Sequence, residues 1–165
     1  MKFWDTSALV PLLLHEPATE AVQQLYESDP TVIVAWTTMV ECASAIARAE
    51  RDGGVTGPQA TSAFARLDEL GRVWREVEPI NDLRDVARRL LRVHRMRAAD
   101  AIQLAAATLA AERRPASLEL VTLDERLEGA ALREGFTVLF PGRSPSPNAE
   151  GPGADEPTRD PARRD

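Results

Sequence analysis

Four carboxylates stand out by position: Asp5, Glu41, Asp100 and Asp124. Asp5 ends the short apolar segment Lys2-Phe3-Trp4, and Asp124 lies two residues after the apolar run Leu118 to Thr122. Glu41 falls in the first turns of a helix that follows the run Val32-Ile33-Val34-Ala35, and Asp100 opens a very apolar helix, Ala99 to Ala111. In an open parallel sheet, ligands bind beyond the carboxyl ends of the strands, the edge to which these acids map. Carboxylates gathered without a counter-charge repel one another and hold protons. A hard dication, Mg²⁺ or Mn²⁺, removes that penalty, takes oxygen ligands and keeps several waters. Each acid also has a plainer explanation. Asp100 suits a helix start electrostatically, Asp124 suits an N-cap, and Glu41 suits a solvated helix face. Asp5 is harder to explain away, because acids are rarely buried unpaired at the end of a central strand. His15 and His94 are far apart with no His-x-x-x-His spacing, and the one cysteine, Cys42, excludes an internal disulfide or a cysteine-based zinc site.

The elements that must position these acids can be read from the pattern. Thr6 and Ser7 offer capping hydroxyls for a helix through Leu14, and a second helix spans about Ala18 to Glu27. Val32 to Ala35 is a continuous apolar run, the mark of a strand covered on both faces. Thr37 and Thr38 precede a helix from about Met39 to Arg51, stopped by Gly53-Gly54. Pro58 begins a long helix to about Gly71, with Ala63, Phe64, Leu67 and Leu70 on one face. Val73 to Val77 fits either a helix end or a short strand. Helices follow from Asn81 or Asp82 to about His94 and from Ala99 to Ala111. Leu118 to Thr122 and Thr137 to Phe140 are strands, separated by a helix from Asp124 to Glu134. Short strands alternating with helices need crossover connections. The expected architecture is α/β: a three-layer αβα sandwich around a mostly parallel sheet of four or five strands.

Length and composition bound the rest. At 165 residues the chain can bury one proper core. From Pro141 to Asp165 there is no large apolar residue, and six of the 12 prolines lie there. The expectation is a domain of residues 1–140 and a disordered 141–165 tail. Net charge is −6, which argues against generic phosphate-backbone binding but allows a local basic face beside an acidic pocket. The run Ala8 to Leu14 contains Pro11 and is too short for a membrane span. A soluble, cytoplasmic, reducing setting is expected.

The segments Asp5-Thr6-Ser7-Ala8-Leu9-Val10, Val40-Glu41-Cys42-Ala43-Ser44-Ala45-Ile46-Ala47-Arg48, Arg97-Ala98-Ala99-Asp100-Ala101-Ile102-Gln103-Leu104-Ala105-Ala106-Ala107 and Val121-Thr122-Leu123-Asp124-Glu125-Arg126-Leu127 resemble, in order and spacing, the four blocks of PIN-domain ribonucleases. More narrowly they are similar to VapC-type toxins of toxin–antitoxin pairs. The resemblance covers about residues 1–140. It implies that Asp5, Glu41, Asp100 and Asp124 are the active-site acids and metal ligands, and that Thr6 is the active-site hydroxyl. Asp124 is the position where the family is least strict. The resemblance further implies Mg²⁺ or Mn²⁺, hydrolysis of RNA phosphodiester bonds to 5′-phosphate and 3′-hydroxyl ends, a homodimer, and a small cognate antitoxin that blocks the site. Pro11 departs from the usual residue of the family without removing a catalytic group.

RNA would need positive charge to hold it. Arg84, Arg88, Arg92 and Arg95 are spaced three or four apart, a candidate phosphate-tracking stripe that is equally readable as a solvated helix face. Arg48, two turns beyond Glu41, is placed to face substrate or antitoxin. Trp4, Trp36 and Trp74 read as core, Cys42 as a buried apolar residue, and His94 as a surface residue rather than a general base. The alternative function is a PIN-like binding or scaffold module without activity. Other phosphoryl-transfer classes lack their marks: position 7 is Ser7 where a haloacid-dehalogenase motif needs a second Asp, and no P-loop motif occurs.

Overall fold

The structure is a computed structural model and describes residues 1–143. Five short strands form one sheet: β1 (Lys2–Trp4), β2 (Val32–Ala35), β3 (Arg75–Val77), β4 (Glu119–Val121) and β5 (Thr137–Leu139). Every pairing is parallel, in the order β3-β2-β1-β4-β5. Seven α-helices make the crossovers: α1 (Thr6–Leu9), α2 (Thr19–Ser28), α3 (Thr38–Arg51), α4 (Gly57–Gly71), α5 (Asn81–Val93), α6 (Ala98–Ala110) and α7 (Glu125–Arg133).

Strand alternation divides the interior into two cores, because successive side chains leave opposite faces of a sheet. Phe3, Ile33, Ala35 and Leu120 pack with α5, α6 and α7. Trp4, Val32, Val34 and Val121 pack with α1 to α4. This is the expected αβα sandwich, with five strands. All four residues of β2 are buried, as its unbroken apolar run predicts. Four alanines of α6, Ala101, Ala105, Ala106 and Ala107, are fully buried. Their small side chains let the helix axis lie close to the sheet. Leu67 and Trp74 are buried beside Phe64 and Leu70, so that stripe belongs to the core.

Several expectations need correction. The first helix does not run to Leu14: after Leu9 the chain tightens into a 3₁₀ turn at Val10–Leu12. Pro11 has no N–H to continue the α ladder. Asp5, not Thr6 or Ser7, is the N-cap of α1. Thr37 makes no capping bond, and its hydroxyl is buried without a partner. The ambiguous stretch before residue 78 is the edge strand β3. Trp36 is 42% exposed and so is not core, whereas Trp4 and Trp74 are. α5 ends at Val93, so Arg95 lies beyond the helix that carries Arg84, Arg88 and Arg92. Of the expected 141–165 tail, all but the first three residues lie outside the described residues. Arg143 lies over the Phe140 ring at 3.6 Å and bonds Glu128.

Candidate active site

Because β1 and β4 are neighbours and both point the same way, Asp5 and Asp124 emerge on one rim. Asp5 follows Trp4 directly, and its backbone N–H donates to the Val121 carbonyl at 3.0 Å. Its carboxylate is buried, 5% exposed. Oδ2 accepts from the Ser7 N–H at 3.1 Å, from the Ser7 hydroxyl, and from the Thr122 hydroxyl at 3.0 Å. Ser7 Oγ in turn accepts from the Leu123 N–H at 2.8 Å, and Thr122 Oγ1 from the Asp124 N–H at 3.0 Å. These bonds lock the ends of β1 and β4 together around Oδ2. Oδ1 receives no protein donor among the described residues.

Glu41 comes from the first turn of α3. Its Oε2 accepts from Thr6 Oγ1 at 2.6 Å and from Gln103 Nε2 at 2.9 Å. Gln103 is 1% exposed in an otherwise apolar helix. Its amide also reaches Thr6 Oγ1 at 2.9 Å and Thr38 Oγ1 at 3.2 Å, while its own Oε1 is buried without a partner. The placement of Thr6 beside a carboxylate is what the sequence reading expects. Gln103, Ser7 and Thr122 were missed as site residues. The available signal for Gln103 was a lone polar side chain, one turn past Asp100, inside a run of alanines and leucine.

Asp100 is the third residue of α6, and its Oδ2 accepts from the Arg97 N–H at 3.0 Å. Asp124 caps α7, with Oδ1 accepting from the N–H groups of Arg126 at 2.7 Å and Leu127 at 3.1 Å. The plain structural roles of these two acids are therefore real, and they coexist with a second fact. Asp5, Thr6, Glu41, Asp100 and Asp124 all line one cleft of about 320 Å³, together with Ser7, Ser44 and Arg48. In Asp5, Glu41 and Asp100, every protein hydrogen bond falls on one carboxylate oxygen, leaving the other without a donor.

The electrostatics follow from this arrangement. Burial pushes the Asp5 carboxyl up to about 6, against the pull of the Ser7 and Thr122 hydrogen bonds, and the negative charge of Glu41 adds to the rise. Cys42, next to Glu41, is fully buried, and burial raises its thiol to about 12, so it is an inert apolar residue. Among the described residues, no three His, Cys, Asp or Glu side chains close into a ready-made metal cage. The donor set nevertheless fits a hard dication. It consists of carboxylate oxygens free to accept a ligand, one of them on a buried acid short of positive charge, with room between for the waters such an ion keeps.

Of the candidate substrate arginines, none of Arg84, Arg88, Arg92 and Arg95 lines this cleft; Arg48 does. Arg84 contacts Asn81 at 3.4 Å and Arg88 pairs with Asp85 at 3.8 Å. His94 is not a surface residue: it is 7% exposed, and its Nε2 meets Glu134 Oε1 at 2.7 Å. Capping the end of α5 turns it inward against α7, so it stands apart from the cleft.

The family model for the PIN domain matches residues 2–132. No curated protein matches the chain. Solved structures do. A chain of the structure of FitAB bound to the IR36 DNA fragment superposes with a TM-score of 0.62 at 16% identity, covering 86% of this chain and 95% of that one. FitAcB from Neisseria gonorrhoeae gives 0.60 at 19% identity, covering 84% and 96%. A toxin–antitoxin complex from Klebsiella pneumoniae gives 0.56 at 19% identity, covering 78% and 92%.

Proposed function

The chain belongs to the PIN-domain family, and from that premise we propose that it is a divalent-metal-dependent endoribonuclease, the toxin of a VapC-type toxin–antitoxin pair. The carrying observation is the cleft in which Asp5, Glu41, Asp100 and Asp124 meet, three of them with one oxygen held and the other left open. We take residues 1–140 as the nuclease unit.

Asp5, Asp100 and Glu41 would hold Mg²⁺ or Mn²⁺, with Asp124 supporting it from the β4 side. When bound, the ion supplies positive charge at the scissile phosphate and a lowered pKa for water in the site. The chain's own residues supply position. Ser7 and Thr122 fix the Asp5 carboxylate by its Oδ2 and leave Oδ1 without a protein donor among the described residues. Thr6 and Gln103 fix Glu41 in the same way, both donating to its Oε2. Arg48 is the one cationic side chain on the cleft wall among the described residues, and it is placed to meet a phosphate oxygen. The structural likeness to a toxin–antitoxin complex from Klebsiella pneumoniae supports a small antitoxin as partner, and we take a homodimer as the assembled form on the family resemblance alone. No helix among the described residues is long and apolar enough to cross a membrane.

The test is cleavage of a mixed RNA pool by the full chain in Mg²⁺ and in EDTA, with sequencing of the new ends. Cuts with 5′-phosphate ends, absent in EDTA and absent in Asp5→Asn and Asp100→Asn, support the reading. Cleavage that persists in both variants, or none under any divalent ion, leaves the scaffold alternative in its place.

A further inference from the structure

We propose that the groove between the end of α5, the 94–97 loop and the start of α7 is a phosphate track that holds the RNA strand beyond the scissile bond, through Arg92, Arg95, Arg97 and Arg126. It rests on the ribonuclease reading and adds the residues that grip the substrate backbone beside the cleft.

The groove has a volume of about 460 Å³ and no acidic residue on its wall. Four arginines converge on it in a chain of net charge −6, and of these only Arg126 has an acid beside it, Asp124 of the adjoining cleft. Arg92, Arg95 and Arg97 make no ion pair among the described residues, whereas Arg88 and Arg89 are paired with Asp85 and Glu134. Arg88 and Arg89 are thus neutralised internally, and the arginines at the end of α5 and in the 94–97 loop are left for an outside anion. Clustered like charges repel, so the arrangement suits a ligand that is itself a polyanion.

The groove also adjoins the acids. Arg97 gives its backbone N–H to Asp100 Oδ2, and Arg126 gives its own to Asp124 Oδ1. The Arg126 guanidinium lies 3.6 Å from Asp124 Oδ2. Two cleft acids and two groove arginines therefore share the same helix starts, and a strand leaving the cleft over α6 and α7 meets the groove next. Exposed Leu91 and Val93 and half-buried Met96 stand between the arginines and offer apolar surface to bases. Continuity with the cleft favours a nucleic-acid strand over an acidic peptide.

The test is binding of a short fluorescein-labelled single-stranded RNA to the full chain in EDTA, over a range of salt. The pair Arg92→Gln with Arg95→Gln is expected to weaken binding about tenfold and to flatten the salt slope by about 1.4, roughly 0.7 per lost phosphate contact. The matching Arg→Lys pair is expected to restore the slope, and the pair Arg84→Gln with Arg88→Gln to leave both quantities unchanged. Unchanged affinity and slope in the groove variant overturn the proposal, as does an equal loss in the Arg84 and Arg88 pair. Lost binding of poly-glutamate with RNA binding intact assigns the groove to an acidic protein and also overturns it. Cleavage in Mg²⁺ is scored separately. Groove-dependent binding without cleavage keeps the track and sinks the nuclease, whereas cleavage with groove-independent binding does the reverse.

Discussion

Asp5 and Glu134 are both acids placed at element ends, and the fold treats them in opposite ways. Glu134 closes α7 and meets two potential cations: a bidentate Arg89, and the buried imidazole of His94. Arg89 is the main reason its carboxyl is held below the usual range. Asp5 is more deeply buried, has only neutral hydroxyl and amide donors, and is pushed up to about 6. One acid is solved internally and works as a tie between α5 and α7. The other is left short of positive charge, which is the charge the proposed metal ion would bring. On the proposed reading, the carboxylate with no counter-charge belongs to the working site and the one with a bidentate arginine to a structural joint.

The largest expected consequence is on activity. Asp5→Asn should lower RNA cleavage by about 10³-fold or more, while Glu134→Gln leaves it within a few-fold, measured as single-turnover rates on one labelled RNA. Equal losses in both would erase the distinction between site and joint. Next comes ion binding. At about 100 times its dissociation constant, Mg²⁺ or Mn²⁺ should stabilise the wild type by about 2.7 kcal/mol in a denaturant titration and Asp5→Asn by much less.

The two acids should also respond oppositely when neutralised. In EDTA at neutral pH, Asp5→Asn is expected to raise stability by about 1–3 kcal/mol, since it removes a buried uncompensated charge. Glu134→Gln should lower it by about 1–2 kcal/mol through lost charged hydrogen bonds. The pH dependence carries the same signs. Asp5 binds its proton more tightly folded, at about 6, than unfolded, at 3.8, so its contribution is full below pH 4 and lost as pH rises towards 6. Glu134, with a depressed pKa, contributes fully above its ordinary 4.5 and loses that contribution as pH falls. Subtracting the Asp5→Asn curve from the wild type isolates the first window. The smallest effect belongs to Gln103. Gln103→Met should slow cleavage about tenfold by freeing Glu41, with little change in RNA affinity; a change in affinity alone would refute a positioning role.

Much of the fold was legible because it rests on local pattern. The apolar run of β2, the glycine stops and the alternation of strand and helix each follow from nearby residues. What failed locally failed for tertiary reasons. The first helix is the exception, since its stop is local: Pro11 has no N–H to continue the α ladder, and the chain tightens into a 3₁₀ turn there. Trp36 lies just past β2 and is exposed, although the run before it is wholly buried. His94 reads as a surface residue among arginines until α7 is laid against it.

In the site the division is similar. The acids and Thr6 could be named in advance, since an acid after Phe3-Trp4 or at the mouth of an apolar helix conflicts with its surroundings. Gln103, Ser7 and Thr122 could not be ranked, because the bonds that tie them into the cleft include ones to partners 62 to 117 residues away along the chain.

The amino-acid order alone determined which residues are acidic, most of the strand and helix segments, and therefore which edge of a parallel sheet gathers the acids. Only the tertiary structure decided which oxygen of each acid is occupied, which acid acquires an internal cation, and which arginines remain unpaired. Secondary structure is set by neighbours within a turn or two, whereas hydrogen bonds and ion pairs depend on distances of a few ångströms between distant parts of the chain.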